Sequence, residues 1–392
     1  MAGEPLTFQT YTSLEELQGT WETLQDRVPH HPFQRYRWIS AWVSTIGTHG
    51  GHHRFIVARD ASGATQAILP ICLVSMKGLR RLTWIGGSEG DYLGPLAAPE
   101  FWDALGSRDI RPIIRQLIPT ADVIQFHRAI NDRAGQSNPL IPSRFSWESK
   151  TGYLMHLPSE PGPLPLRAKF AADTARRRRF LLKMGPPRLD IPETRAEREQ
   201  ITRFMILHKQ KKHQATGHDD VFQRPEYAEF YLRLCEDPAI HVSALSFGDR
   251  MVAAHWGARL GSRLYWIMPA FDREYARYAP GRLHLHAVIE WCIEHGVRLF
   301  DFTIGDEVFK LTYANERIPL YSSNIPLTLK GGLYCRFSAA RRSWSRRRPA
   351  PGLAPADEAD EQGDENAGSG KTEQVALLPK RIAKTVKDDL EE

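Results

Sequence analysis

Apolar and polar positions in the first third of the chain predict two helices followed by a meander of strands. Apolar residues recur at helical spacing over 14–27 and 36–46. Stretches rich in branched and aromatic residues follow at 55–59, 66–75 and 79–85, and a glycine-containing turn separates the first two. We therefore expect three antiparallel strands after two helices.

The same order returns in the second half of the chain. Helical patterns cover 174–184, 195–212 and 225–235, and strands are predicted at 241–246, 251–260 and 263–269. A loop then leads into a predicted helix at 282–295, a strand at 297–304 and a short helix near 306–313. A meander followed by a helix and a further strand is typical of an α+β unit with one parallel crossover.

Two changes in composition predict the domain boundaries. Four prolines between residues 156 and 167 indicate a connector, which separates a first unit over 1–157 from a second over 166–332. From residue 333 a basic block, a Pro/Ala stretch and an acidic block predict a disordered, low-complexity tail over 333–392. The predicted fold class is α+β, with two tandem units that each hold a mixed, mainly antiparallel sheet flanked by helices.

Composition narrows the functional classes. Of 392 residues, 42% are apolar and 25% charged, as in globular proteins, and the net charge is +6. The tail is neutral, so the positive excess lies in 1–332 and is consistent with an anionic ligand. The spacing of the four cysteines and of the histidines predicts neither a disulfide framework nor a metal site. We expect no transmembrane segment or secretion signal, and a cytoplasmic location, with the inner-membrane surface as a peripheral alternative.

The loop before the helix at 282–295 is a candidate anion cradle. It consists of Tyr278, Ala279, Pro280, Gly281, Arg282 and Leu283. A helix start presents unpaired N–H groups and the positive end of the helix dipole, which suit a pyrophosphate. Gly281 allows a close approach of the backbone, and Arg282 adds charge. Because Pro-Gly loops are common before helices, an ordinary helix start is the alternative.

Longer segments resemble the CelD-like branch of the GNAT acetyltransferases, a group associated with cellulose biosynthesis. The matching segments are HPFQRYRWISAWVSTIG, RRLTWIGGSEGDYLGPL, TARRRRFLLKMG, AAHWGARLGSRLYWIMPAFDREYARYAPGRLHLHAVIEWCIEHG and LFDFTIGDEVFKLTYANE. The resemblance covers about 30–330 and implies two GNAT-like units in one chain, as in the more distantly similar Fem-type aminoacyltransferases. Two departures are Ala279, where the family more often has Ser, and Phe309, where Tyr is commoner.

The resemblance also implies how acetyl-CoA or another acyl-CoA binds. Its pantetheine would lie beside the strand at 264–269, and its pyrophosphate would rest on 278–283. The first unit lacks a counterpart of this loop, so only the second unit is expected to bind acyl-CoA, without a metal. Asp91 and Tyr92 of the first unit are candidate acceptor-site residues, and an ordinary turn is the alternative for them.

Candidate catalytic residues lie in the second unit. They are His255, Asp301, Asp306 and Lys310, and Glu307 is a further candidate substrate residue. Direct transfer needs a proton acceptor for the amine and a proton donor or positive field for the leaving thiolate. Each candidate has a structural alternative. His255 could be a core histidine, Asp301 could form an ion pair, and Lys310 could be a solvated helix lysine. Asp306 and Glu307 could each cap a helix.

The sequence therefore predicts an acyl-CoA-dependent N-acetyltransferase that transfers directly to an amine of a sugar, an envelope polymer precursor or a related metabolite, plausibly in polysaccharide biosynthesis. The alternatives are a Fem-type transferase that uses aminoacyl-tRNA, and a catalytically degenerate scaffold that binds envelope- or polysaccharide-synthesis machinery through its tail. The basic clusters at 176–179 and 209–212 lack a nucleic-acid motif, so no nucleic-acid partner is expected. The basic segment 340–348 is a candidate contact for an anionic membrane surface.

Overall fold

The computed structural model describes residues 5–48, 51–106, 108–130, 138–160, 162, 168–217, 219–305 and 307–346. These residues pack as two compact units. Of the described residues, unit 1 takes the chain up to 152 and the segments 226–239 and 318–346. Unit 2 takes 153–225 and 240–317. Each unit therefore contains segments that are distant in sequence.

The helices and strands follow in chain order. Those in the first part of the chain are β1 (Thr7–Tyr11), α1 (Gln18–Arg27), α2 (Tyr36–Ser44), β2 (His52–Arg59), β3 (Thr65–Met76), β4 (Leu79–Trp84), β5 (Leu96–Ala97), α3 (Pro99–Leu105), α4 (Arg111–Leu117), β6 (Val123–Ile130) and β7 (Ser146–His156). Those in the second part are α5 (Ala168–Leu181), β8 (Pro187–Asp190), α6 (Arg195–Thr216), α7 (Pro225–Leu234), β9 (Ile240–Phe247), β10 (Arg250–Leu260), β11 (Arg263–Phe271), α8 (Pro280–Glu294), β12 (Leu299–Ile304), α9 (Lys310–Tyr313), β13 (Glu316–Pro326) and α10 (Leu329–Arg346).

Both units contain the mixed sheet that the sequence predicts. In unit 1 the strand order is β1-β2-β3-β4-β6-β13, β5 pairs with β3, and β4 and β6 are parallel while the other neighbours are antiparallel. In unit 2 the order is β12-β11-β10-β9-β8, and only β11 and β12 are parallel. Helices flank the strands in both units. The predicted α+β class with mainly antiparallel sheets is therefore confirmed.

The core of unit 2 rests on the apolar face of α8. Leu285, Val288 and Cys292 of this helix are at most 3% exposed, and they pack in one cluster with Trp266 and Phe300 of the sheet. Burial of each large apolar side chain is worth about 1.5–3 kcal/mol. Burial of this face fixes α8 on the sheet and thereby fixes the position of its first turn beside β11.

The prolines between 156 and 167 predict that the helix at 225–235, which is α7, belongs to the second unit. The structure places this helix in unit 1. Its side chains pack in unit 1, where the Phe230 ring meets Trp38 at 5.3 Å between centroids and the Tyr231 hydroxyl donates to Glu89. The buried hydrophobic surface of α7 therefore joins a core that is built mainly from residues almost two hundred positions earlier.

The predicted tail begins later than residue 333. Residues 329–346 form α10, which follows β13 in unit 1. One side of α10 packs on the sheet, where Gln125 Nε2 donates to the Tyr334 hydroxyl at 3.1 Å. Leu329, Leu333 and Phe337 recur every four residues, which is compatible with a helix despite the biased composition. The remaining tail, 347–392, lies outside the described residues. Among the helices described, none is long and apolar enough to cross a membrane.

Candidate functional site

In unit 2, β11 and β12 separate after a short ladder. They pair at three positions, the last of which places Tyr265 opposite Asp301. β11 then continues to Phe271 and β12 to Ile304 with no further pairing between them. Beyond Tyr265, the edge of β11 on the β12 side is therefore open among the described strands. Such an edge offers backbone groups to an extended ligand.

Asp301 lies at the point where the two strands separate. Its carboxylate is fully buried and accepts hydrogen bonds from Arg263 Nε at 3.1 Å and Nη2 at 2.6 Å. Its other oxygen accepts the N–H of Thr303 at 2.7 Å, and Thr303 has a left-handed φ of 55°. A β-branched residue rarely adopts this conformation without support. Asp301 therefore compensates a cation and holds the bend that turns β12 away from β11.

The first turn of α8 presents a backbone donor. Ala279 is left-handed, with φ 49°, and its carbonyl accepts the N–H groups of Arg282 at 3.1 Å and Leu283 at 3.2 Å. Pro280 has no N–H, and the N–H of Gly281 meets no acceptor among the described residues. The first turn contains no acidic residue. One N–H therefore remains available at the positive end of a helix of 15 residues.

Close packing explains why glycine stands at 281. A Cβ at this position would lie 3.2 Å from the ring of Phe271. Next to it, the Tyr278 ring stacks on Phe180 at 5.7 Å between centroids, and Arg277 lies over the Tyr278 ring at 4.7 Å. Leu283 instead turns its side chain into the core. Of the predicted cradle residues, Gly281 thus supplies the backbone donor and Tyr278 a partly exposed ring.

Basic side chains surround the start of α8. Arg282 donates to Asp173 of α5 at 3.0 Å, and the same carboxylate accepts from Arg176 and Arg177 at 2.7 Å each. Partial burial would raise the pKa of Asp173, but the three arginines outweigh it and lower the pKa to about 2. One carboxylate therefore faces three guanidinium groups, and the cluster keeps a net charge of about +2. Arg177 also donates to the carbonyl of Arg277 at 2.7 Å, which fixes α5 against the loop.

Lys310 follows the end of β12. Its ammonium group is buried, donates to the Ile304 carbonyl at 2.7 Å and pairs with Glu307 at 2.9 Å. Gly305, with φ 143°, makes the turn that allows this approach. The structure therefore brings Lys310 and Glu307 together at the end of β12. Asp306 lies outside the described residues.

His255 lies in the core of unit 2. Its ring stacks on Trp266 at 3.9 Å between centroids, and its Nε2 accepts the N–H of Ile267 at 3.2 Å. Burial, with a further contribution from His241 and His284, lowers the pKa of His255 well below its ordinary value. A neutral ring in this position supports the bulge where β11 pairs irregularly with β10.

Asp91 and Tyr92 are both buried in unit 1. Asp91 forms an ion pair with Arg128 at 3.8 Å, and the Tyr92 ring packs on His31 at 4.8 Å between centroids. The Tyr92 carbonyl accepts a hydrogen bond from Gln34 at 2.7 Å. These contacts make both residues part of the packed interior of their unit.

Two groups of residues were not identified from the sequence. Asp173 precedes Arg176 and Arg177 by three and four positions, the spacing of helical ion pairs, and this spacing is the signal that could have revealed it. His286 of α8 contacts the Tyr313 hydroxyl at 2.7 Å, and burial lowers its pKa to about 4. Within the described ranges, no group of three or more His, Cys, Asp or Glu residues is arranged to hold a metal ion.

Comparisons with known proteins concern the family and the fold. Residues 168–311 match the family model described as acetyltransferase (GNAT) domain. FemX is similar in structure, with 10% identity and a TM-score of 0.53 over 83% of this chain and 98% of that chain. The C-terminal domain of a candidate lysylphosphatidylglycerol synthetase from Agrobacterium fabrum gives 11% identity and a TM-score of 0.51 over 84% and 96% of the two chains. At these identities the likeness concerns the fold alone. No curated protein sequence gives a significant match.

Proposed function

We propose that the chain is an N-acetyltransferase that takes its acyl group from acetyl-CoA or a related acyl-CoA, because residues 168–311 match the family model of the acetyltransferase (GNAT) domain. Acyl-CoA is made in the cytoplasm, so the proposal implies that the protein is located there. The acceptor is an amine on a sugar or an envelope polymer precursor, in the setting of polysaccharide synthesis.

The N–H of Gly281, which meets no acceptor among the described residues, is the observation that carries the proposal. It lies at the positive end of α8, next to the arginines around Asp173, and the first turn of the helix contains no competing carboxylate. A pyrophosphate group fits this donor and these charges. The open edge of β11 beyond Tyr265 offers a path for the extended pantetheine arm.

The chain's own residues have limited chemistry to supply. An acyl-CoA thioester is already activated: the amine nitrogen forms the new C–N bond as the C–S bond breaks, and the amine loses a proton. We assign Lys310 to the leaving thiolate, because its ammonium group stands at the end of β12 and Glu307 and the Ile304 carbonyl restrict its position. Glu307 and Asp306 are our candidates for accepting the amine proton. We assign positioning roles to Asp301 and His255, since both are fully buried and hydrogen-bonded.

Calorimetric titration of acetyl-CoA into the full chain tests the proposal. Gly281→Glu places a carboxylate where the phosphates would bind, and charges about 4 Å apart repel by about 4 kcal/mol at a partly screened site. We expect binding at least about 100-fold weaker. Gly281→Ala measures the effect of the added Cβ alone, which approaches Phe271. Gly19→Glu is a matched control, because Gly19 is the second residue of α1 and a Cβ there meets nothing within 4 Å.

Each outcome has a defined meaning. Micromolar binding by the native chain and by Gly19→Glu, lost in folded Gly281→Glu, supports the acyl-CoA site. Release of free thiol from acetyl-CoA in the presence of a panel of amino sugars then identifies the acceptor. No binding by the native chain, or equal binding by Gly281→Glu, contradicts the proposal. Salt-sensitive binding of aminoacyl-tRNA instead would favour the Fem-type alternative.

A further inference from the structure

α10 combines a packed face with an exposed apolar face. Tyr334, Cys335 and Ser338 lie on the side that contacts the rest of unit 1, where the Cys335 thiol donates to the Asn324 carbonyl at 3.5 Å. The large apolar residues on the outer side are Leu329, Leu333, Phe337 and Trp344, which are 93%, 69%, 70% and 61% exposed. At 100° per residue they fall within an arc of about 80°. They therefore form one continuous exposed stripe, which we call the α10 stripe.

The charged side chains that α10 itself carries beside the stripe all have the same sign. Exposed Arg336 flanks the stripe on one side and exposed Arg341 on the other. The helix sequence 329–346 contains five Lys and Arg residues and no Asp or Glu, and two further arginines follow directly. An apolar stripe with cations on both sides is the pattern of a helix that lies in the interface of an anionic membrane.

We propose that α10 docks unit 1 on an anionic phospholipid bilayer. In this arrangement the apolar side chains of the stripe enter the boundary between headgroups and acyl chains, and Trp344 takes the interfacial depth that suits an indole ring. The guanidinium groups of Arg336 and Arg341 extend outward along the surface to lipid phosphates. The proposal concerns the location of the protein and does not depend on the acyltransferase chemistry of unit 2.

Charge complementarity favours a bilayer over a protein partner. Protein interfaces have few charges at their centre, and a protein partner would need matching carboxylates on both sides of the stripe. An anionic leaflet supplies negative charge on every side of a helix that lies on it, at any rotation about the membrane normal. The uniform positive charge of α10 therefore fits an anionic lipid surface, which does not need a matching carboxylate opposite each arginine.

Sedimentation of the full chain with phospholipid vesicles tests the proposal. One vesicle preparation is phosphatidylcholine alone, and the other contains about one third phosphatidylglycerol. Leu333→Ser/Phe337→Ser removes the centre of the stripe at exposed positions, so the fold is expected to tolerate it. Leu207→Ser is the matched control, because Leu207 is a 47% exposed apolar residue on α6. A second readout is tryptophan emission, compared between the native chain and Trp344→Phe.

We expect the native chain and Leu207→Ser to bind the anionic vesicles, at least about tenfold more tightly than neutral ones. The double Ser variant should bind at least about tenfold more weakly, because two large side chains no longer leave water. Anionic vesicles should shift the tryptophan emission to the blue in the native chain, and Trp344→Phe should bind without this shift. The proposal is overturned if the double variant binds like the native chain, if anionic lipid makes no difference, or if the stripe mediates only self-association in gel filtration.

Discussion

Replacement of Asp301 by Asn separates a structural role of this residue from a catalytic one. Asn has nearly the same size, and its side-chain oxygen can still accept the N–H of Thr303, which Asp301 binds at 2.7 Å. The change removes the negative charge that faces Arg263 at 2.6 Å, and it replaces the oxygen that accepts both Arg263 hydrogen bonds by an amide nitrogen that cannot accept them. The effect of the substitution therefore reports on the buried ion pair at the point where β11 and β12 separate.

The structure sets the expected size of the effect. Removing one partner of a buried ion pair costs about 3–5 kcal/mol, because the other charge is left without compensation. The Arg263 side chain is 19% exposed, so water can partly replace the carboxylate. We expect a loss of about 2–3 kcal/mol in the free energy of unfolding of unit 2, and a Tm lower by about 5–10 °C. Arg263→Gln with Asp301→Asn should recover part of this loss, because no unpaired charge remains.

Circular dichroism melting curves measure the structural role of each variant, and the rate of thiol release from acetyl-CoA measures the catalytic one. Asp190→Asn is the matched control, because Asp190 pairs with Arg188 at 2.8 Å on the surface of the same unit, where an ion pair contributes about 0–1 kcal/mol. An Asp301→Asn variant that melts with the native chain, but has lost more than about 100-fold in kcat, would refute the positioning role and make Asp301 a catalytic residue.

Two further predictions concern unit 2. Lys310→Met should lower kcat at least about tenfold while the Kd for acetyl-CoA changes less than about twofold, because the thiolate charge that we assign to its ammonium group develops only as the C–S bond breaks. Equal losses in kcat and in affinity would contradict the assignment. Burial lowers the pKa values of His241 and His284 to about 3, so below about pH 6.5 the unfolded chain takes up protons that the folded chain does not. The free energy of unfolding should therefore fall as the pH falls from about 6.5 toward about 3. In urea titrations, His241→Leu should reduce the slope of this pH dependence by about 1.4 kcal/mol per pH unit. An unchanged slope would show that His241 does not contribute.

Local patterns predicted the elements whose signal is contained in a short segment. The apolar face of α8 is visible because Leu285, Val288 and Cys292 recur at helical spacing, and the structure buries all three. The strands β9, β10 and β11 were recognised for the same reason, since turn residues separate runs of branched and aromatic side chains.

The features that the sequence does not predict depend on contacts between segments that are distant in the chain. Asp301 is conspicuous as a polar residue in an apolar strand, but its partner Arg263 depends on the parallel register that brings Tyr265 opposite Asp301. The place of α7 depends on Tyr231 reaching Glu89, which is 142 residues away in sequence. Periodicity within a segment contains no information on either pairing.

The starts of α3 and α8 differ in the features that an anionic ligand requires. Both helices have proline in the first position after an alanine, so proline alone does not distinguish them. α3 has only seven residues and carries Glu100 in its first turn, where the carboxylate already meets the positive end of the dipole. α8 has 15 residues, no acid in its first turn and the arginines around Asp173 beside it. Of these two helix starts, that of α8 in unit 2 combines an available donor with neighbouring arginines and no acid in its first turn, which is what a phosphate requires.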